Sequence, residues 1–276
     1  MEPLCKVIPA APAESNVTAA WEHPAEKNSD DQRDEKEECR ILQPMIADEN
    51  SENYYSHAAT YWSSVPPTVD GMLGGFGYIS HTDIQGSETF LKSVFKLKTP
   101  PQRQRALDCG AGIGRVTKLL LQRFFDKVDL VEQNPAFLKE AKTYLGPSKH
   151  VGQMYCEGLQ NFKPEESYDV IWCQWVLGQL KDHDFVEFMK ANIKALKPSG
   201  VIVVKENVSS SGETEEDTQD ASVTRSEKAL VEILTGPSGL RILREMKQPR
   251  FPKGLFPVRM YAMRPCKKED LSKECE

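Results

Sequence analysis

A chain of 276 residues has room for one or two domains, and its formal net charge of −6 is unevenly placed. Residues 1–50 hold 12 acids and 5 bases, net −7, which leaves 29 acids and 30 bases, net +1, for residues 51–276. No run of 18 apolar residues occurs, and no basic start leads into an apolar stretch, so neither a membrane span nor a secretory signal is expected.

The leader, with its Asn28-Ser29-Asp30-Asp31-Gln32-Arg33-Asp34-Glu35-Lys36-Glu37-Glu38 stretch, is polar and nearly free of aromatics. That composition predicts a disordered acidic segment over 1–49, then a single domain over 50–265 and a short frayed tail over 266–276. An aromatic-bearing helix is predicted over 53–64, with Tyr54, Tyr55, Tyr61 and Trp62, stopped by Pro66-Pro67. The glycine-dense apolar stretch 68–77 fits neither helix nor strand. Residues 83–95 read as an amphipathic helix with Ile84, Phe90, Leu91 and Val94 on its apolar face.

From Arg105 onward strands and helices alternate. Strands are predicted over 105–108, 127–132, 151–156, 168–174 and 200–205, and helices over 115–124, 135–145, 182–196 and 226–235. This is the pattern of a doubly wound, mostly parallel sheet. Two strand-like runs, 241–247 and 256–263, then predict a closing antiparallel hairpin.

The densest signal is Leu107-Asp108-Cys109-Gly110-Ala111-Gly112-Ile113-Gly114-Arg115, an apolar strand running into a glycine turn and a helix. Such a turn opens backbone amides and a helix N-terminus to a ligand. The dinucleotide fingerprint needs a glycine where Arg115 stands, and no Gly-Lys-Ser/Thr follows to make a phosphate loop. Glu132 ends the next strand 18 positions after Gly114, where a carboxylate can accept both hydroxyls of a ribose. Loop and acid together point to a nucleoside cofactor, against the plainer reading of a solvated turn.

Asp169-Val170-Ile171-Trp172-Cys173-Gln174-Trp175 is a buried strand whose carboxyl end presents Gln174 and Trp175, while Trp172 reads as core. The next strand delivers Glu206 and Asn207 to the same edge, where ligands of open α/β sheets sit. Glu213, Glu215, Glu216, Asp217 and Asp220 then crowd a loop without a Lys or Arg. Two readings stay open for it: a solvated loop, or a site for a basic substrate. Seven scattered cysteines and five dispersed histidines show no zinc-ligand spacing, so no metal is expected. Cys109 and Cys173 within apolar strands fit a reducing compartment.

Together these stretches resemble the α-N-terminal protein methyltransferases, which methylate the free amino terminus of proteins beginning Xaa-Pro-Lys or Xaa-Pro-Arg. The resemblance runs from about Tyr54 to Arg264. It is carried by Tyr61-Trp62, Pro66-Pro67-Thr68-Val69-Asp70-Gly71-Met72-Leu73-Gly74-Gly75, the glycine loop, Gln174-Trp175-Val176 and Lys205-Glu206-Asn207. It implies the seven-stranded class I methyltransferase sheet with an N-terminal helical extension, and S-adenosylmethionine as donor. By that match Gly110 and Arg115 hold the methionine part with Gln174, Gly112 also binds the cofactor, Glu132 takes the ribose, and Leu159 and Gln160 flank the adenine. Trp62, Leu73 and Trp175 surround the first two peptide residues, and Asn207 holds the peptide backbone. Asp217, Asp220 and Ser222 receive the basic third residue. The resemblance also implies protein substrates with free N-termini, no nucleic-acid or membrane partner, and residence in nucleus and cytoplasm.

Three departures stand out: Gln179 where the family commonly has histidine, Phe256 where a tyrosine is usual, and Glu206 in place of aspartate. A glutamine is no proton acceptor near neutral pH, which leaves Asp220 as the candidate base. The demand on a base is modest, because an α-amine has a reference pKa of about 7.7–8.0 and is roughly a tenth neutral at pH 7. A small-molecule methyltransferase on the same sheet and a non-catalytic cofactor-binding scaffold are the alternatives.

Overall fold

A computed structural model of the chain describes residues 51–266. The expectations for the leader and for the tail from 267 on lie outside the described residues. Helix α1 (Ser51–Ser64), the short α2 (Val69–Met72) and α3 (Ser80–Val94) form the N-terminal extension. The sheet follows as β1 (Arg105–Cys109), β2 (Lys127–Val131), β3 (Val151–Tyr155), β4 (Tyr168–Gln174), β5 (Leu196–Asn207), β8 (Leu240–Lys247) and β9 (Val258–Pro265). Between these strands run α4 (Arg115–Leu119), α5 (Pro135–Leu145), α6 (Asp182–Lys194) and α7 (Glu227–Thr235). A two-stranded ribbon, β6 (Glu215–Asp217) with β7 (Ser222–Thr224), stands apart from the sheet.

The seven strands lie in the order β3-β2-β1-β4-β5-β9-β8. Pairs from β3 through β5 are parallel, and β9 is antiparallel to both β5 and β8. The winding reverses between β1 and β4, and in such sheets that crevice, at the strands' carboxyl ends, is where ligands bind.

Both sheet faces are buried, which is why the central strands are continuously apolar. Ile171, Cys173, Ile202 and Val204 pack on one face against Phe185 and Met189 of α6 and Leu230 and Leu234 of α7. Val170, Trp172, Val201 and Val203 pack on the other, against Ile84, Phe90, Leu91 and Val94 of α3 and Val116 of α4. Successive strand side chains point to opposite faces, so one apolar run feeds two cores.

Four local expectations need correction. The helix expected over 115–124 ends at Leu119, and a 3-10 turn follows over Leu121–Arg123. Leu120 leaves the helical region at φ −127° and ψ −69°, and Leu120, Leu121 and Phe125 all enter the α3-side core. Helix α3 begins at Ser80 rather than 83, and Asp83, in its first turn, is a buried ionic partner. The stretch 68–77 contains α2, capped by Thr68 Oγ1 accepting from the Gly71 amide at 3.0 Å. The acidic stretch expected as a loop carries the β6–β7 ribbon, whose three-residue strands are too short to show a period.

Candidate active site

Residues just past the carboxyl ends of β1, β2 and β4 surround a cavity of about 940 Å³. After β1 the chain turns through Gly110, Gly112 and Gly114 at φ 67°, 57° and 79°, a region side chains rarely adopt. A Cβ at Gly110 would lie 2.4 Å from Val176 Cγ2, and one at Gly112 2.6 Å from Met72 Sδ. Glycine is therefore required at both by backbone conformation, and at Gly110 also by space, where Val176 Cβ would lie 2.7 Å away. Asp108 locks the turn, its Oδ2 accepting from the Thr117 amide at 3.0 Å and the Thr117 hydroxyl at 2.7 Å. Burial pushes the Asp108 carboxyl up to about 6.

Glu132 stands one residue beyond β2. Its Oε2 accepts from the Gly112 amide at 2.9 Å and its Oε1 from the Asn134 amide at 2.9 Å. Burial raises its pKa, and those amides oppose the rise.

Arg115, at the start of α4, is 5% exposed and donates from NH1 to Asp83 Oδ2 at 2.7 Å. Asp83 also receives the Lys205 ammonium and, at 2.9 Å, the Gln174 amide. Burial alone would push the Asp83 carboxyl up, but Lys205 and Arg115 outweigh it and hold it below the usual carboxylate range. Burial pulls Lys205 down to about 8. Two cations share one anion here, leaving positive charge at the wall that Arg115 presents to the cavity.

This donor set fits a nucleoside bearing an amino acid: Arg115 for a carboxylate, Glu132 for a diol, and Phe137 and Leu159 as apolar flanks. All seven residues assigned to the cofactor line this one cavity: Gly110, Gly112, Arg115, Glu132, Leu159, Gln160 and Gln174. Gln174 also donates to Asp83 and accepts from Trp172 Nε1 at 3.1 Å, so its amide is tied within the protein.

A second cavity adjoins the first and is bounded by Leu73, Ile79, Glu206, Asn207, Ser222 and Val223. Trp62, Met72, Trp175 and Gln179 line both cavities and form their common wall. Trp175 holds the left-handed backbone at φ 53°, an uncommon state for a bulky residue. Glu206 Oε1 accepts from the Val176 and Leu177 amides, each at 2.8 Å, which fixes the turn after β4. Burial pushes Glu206 up to about 7.

Of the residues assigned to the peptide, Trp62, Leu73, Trp175, Asn207 and Ser222 line the second cavity. Asp220, 3% exposed, stands behind it, with Oδ1 accepting from the Ser222 hydroxyl at 2.6 Å and Oδ2 from Gln179 Nε2 at 3.3 Å. Burial raises its pKa. Asp217 and Asp220 do not share one pocket as the acidic pattern suggests. Asp217 closes β6 and lines a separate open cavity with Tyr54 and His57, while Asp220 sits in the ribbon turn. His183 has a 42% exposed side chain beside Asp184 and lines none of these cavities.

Sequence reasoning missed the roof over the first cavity. Tyr55 and Ala58 of α1 line it, and the Tyr55 hydroxyl donates to Asp184 Oδ2 at 2.5 Å, fastening α1 to α6. The only signal was the aromatic density of α1. Gln179 stood out as a departure from the resemblance, without a place in the wall.

A family model described as AdoMet dependent proline di-methyltransferase matches residues 50–264. The chain is 51% identical over 220 residues to Alpha N-terminal protein methyltransferase 1 of Drosophila melanogaster, covering 78% of each chain. It is 45% identical over 221 residues to N-terminal Xaa-Pro-Lys N-methyltransferase 1 of Homo sapiens, covering 78% of this chain and 97% of that one. Among solved structures, a SAM-dependent methyltransferase from Leishmania major superposes with a TM-score of 0.73 at 39% identity, covering 78% of this chain and 85% of that one.

Proposed function

The chain belongs to the AdoMet dependent proline di-methyltransferase family, and from that premise we propose that it methylates the α-amine of proteins beginning Xaa-Pro-Lys or Xaa-Pro-Arg. The observation that carries this reading is the common wall of Trp62, Met72, Trp175 and Gln179, which sets the cavity lined by Arg115 and Glu132 directly against a second cavity lined by Glu206, Asn207 and Ser222 and backed by Asp220. S-adenosylmethionine supplies a methyl group activated by its sulfonium. The protein's part is alignment and exclusion of water, which suffice for much of such a transfer.

Arg115 holds the donor's carboxylate, Glu132 its ribose, and Leu159 and Gln160 its base. Across the wall, Trp62, Leu73 and Trp175 enclose the first two peptide residues and Asn207 binds the backbone. Asp220 with Ser222 takes the cation of the third residue, and Asp217 contributes from the neighbouring cavity, which shares Ser222 and Val223 with this one. Asp220 is also the proton acceptor, supported by its burial and its raised pKa. A small-molecule acceptor would leave the second cavity, with Asp220 behind Ser222, without a purpose. Residence in nucleus and cytoplasm is part of the proposal, supported by the free, buried thiols of Cys109 and Cys173.

The test is a comparison of Xaa-Pro-Lys and Xaa-Pro-Gln peptides on wild type, Asp217→Asn and Asp220→Asn. Charge-assisted hydrogen bonds are worth about 1.5–3 kcal/mol each, so Asp220→Asn is expected to erase the preference for Lys. It is also expected to depress kcat by about 10²–10⁴-fold, as loss of a general base does. Asp217→Asn is expected chiefly to raise KM. Unchanged Lys preference in both variants would remove the substrate assignment.

A further inference from the structure

Two polar side-chain atoms in the common wall are buried without a hydrogen-bond partner: the Gln179 carbonyl oxygen and the Trp175 indole N–H. Buried polar groups are nearly always paired, and exceptions mark places where a partner arrives from elsewhere. The orientation of the Gln179 amide is fixed chemically, because its Nε2 donates to the Asp220 carboxylate at 3.3 Å. Its oxygen is thus a pure acceptor, buried in a side chain that lines both cavities. Trp175 beside it carries a left-handed backbone at φ 53°, a strained state retained at a wall position.

We infer that Gln179 Oε1 accepts an N–H of the substrate's α-amine and thereby makes the enzyme sensitive to how many methyl groups that amine already carries. This rests on the proposed function above. The soft terminal torsion of a glutamine lets the carbonyl turn toward the cavity with Nε2 still near Asp220.

The sensitivity follows from counting hydrogens. Each transfer forms an N–CH3 bond as the S–CH3 bond breaks, the nitrogen lone pair attacking carbon and the S–C electrons remaining on sulfur. The ammonium so formed gives its proton to Asp220, the proposed acceptor, before the next transfer. A neutral primary amine offers two N–H groups besides its lone pair, and a neutral monomethyl amine offers one. Both can satisfy Gln179 while the lone pair faces the methyl group. A neutral dimethyl amine offers none. Its protonated form would satisfy Gln179, but its lone pair is then occupied and transfer is blocked. The third transfer must therefore proceed with Oε1 buried and unpaired.

The experiment uses three synthetic Ser-Pro-Lys peptides carrying a free, a monomethyl or a dimethyl α-amine, with transfer rates read by mass spectrometry. Wild type is expected to act on the first two at similar rates and on the third at least about tenfold more slowly, as an unmade buried hydrogen bond implies. Gln179→Leu, which also removes the donor to Asp220, is expected to lower all three rates but the first two by about tenfold more than the third, so the discrimination disappears. Gln179→His, whose ring can donate to Asp220 and accept on its other nitrogen, is expected to keep it. Wild type acting equally on all three peptides overturns the inference, as does Gln179→Leu with wild-type discrimination. Wild type acting on none overturns the functional reading itself, and the inference with it.

Discussion

Asp83 Oδ2 lies 2.7 Å from Arg115 NH1, joining the N-terminal extension to the helix that follows the glycine loop. Lys205 from β5 reaches the same carboxylate, so three separate segments of the chain meet on one buried anion. The extension is therefore built into the cofactor cavity rather than appended to it. Removing one member of a buried ionic cluster typically costs about 3–5 kcal/mol, because it strands the partner's charge. Asp83→Ala is expected to lower stability by that order in urea denaturation. A loss below about 1 kcal/mol would show that the cluster contributes little.

Glu132 holds the glycine loop through the Gly112 amide and faces the cofactor cavity. Glu132→Ala is expected to weaken S-adenosylmethionine binding by about 1–3 kcal/mol, the usual effect of leaving buried donors unpaired. Calorimetry is the check, and an unchanged affinity would show that Glu132 does not meet the ribose.

Glu206 sets a pH dependence of stability whose sign can be worked out. Its folded-state pKa is raised from 4.5 to about 7 by burial. Between those values the folded chain binds more protons than the unfolded one, so this group's contribution to stability falls as pH rises through that window. Glutamine keeps an oxygen to accept from the Val176 and Leu177 amides and has no charge to bury. Glu206→Gln is expected to melt above wild type at pH 8, by the order of a few kcal/mol, and to match it near pH 4.5. Parallel melting curves at both pH values would contradict this.

Much of the fold was legible because β4 and β5 are buried on both faces and read as continuous apolar runs. The cofactor side was legible too, because the glycine turn and Glu132 lie at fixed offsets in sequence. What stayed hidden depends on distant partners. Asp83 reads as a helix-start acid, and only Lys205, more than a hundred positions away, reveals its role. Asp217 and Asp220 read as one acidic cluster until a ribbon turn parts them. Gln179 stands out in sequence only as a departure from the resemblance, and its place in the wall with an oxygen buried without a donor needs the folded chain.

Residues 1–49 carry a net charge of −7 and a single aromatic residue, Trp21. Their deletion is expected to leave the melting temperature and peptide methylation unchanged. An aggregating or inactive product would show that the leader contributes to the fold or the site.

The central claim is that the acceptor is a peptide's free α-amine. A Ser-Pro-Lys peptide and its Nα-acetylated twin, each incubated with methyl-labelled S-adenosylmethionine, test it directly. Label on the α-nitrogen of the free peptide and none on the acetylated one is the expected result. Equal labelling of both, on the lysine side chain or elsewhere, would contradict it.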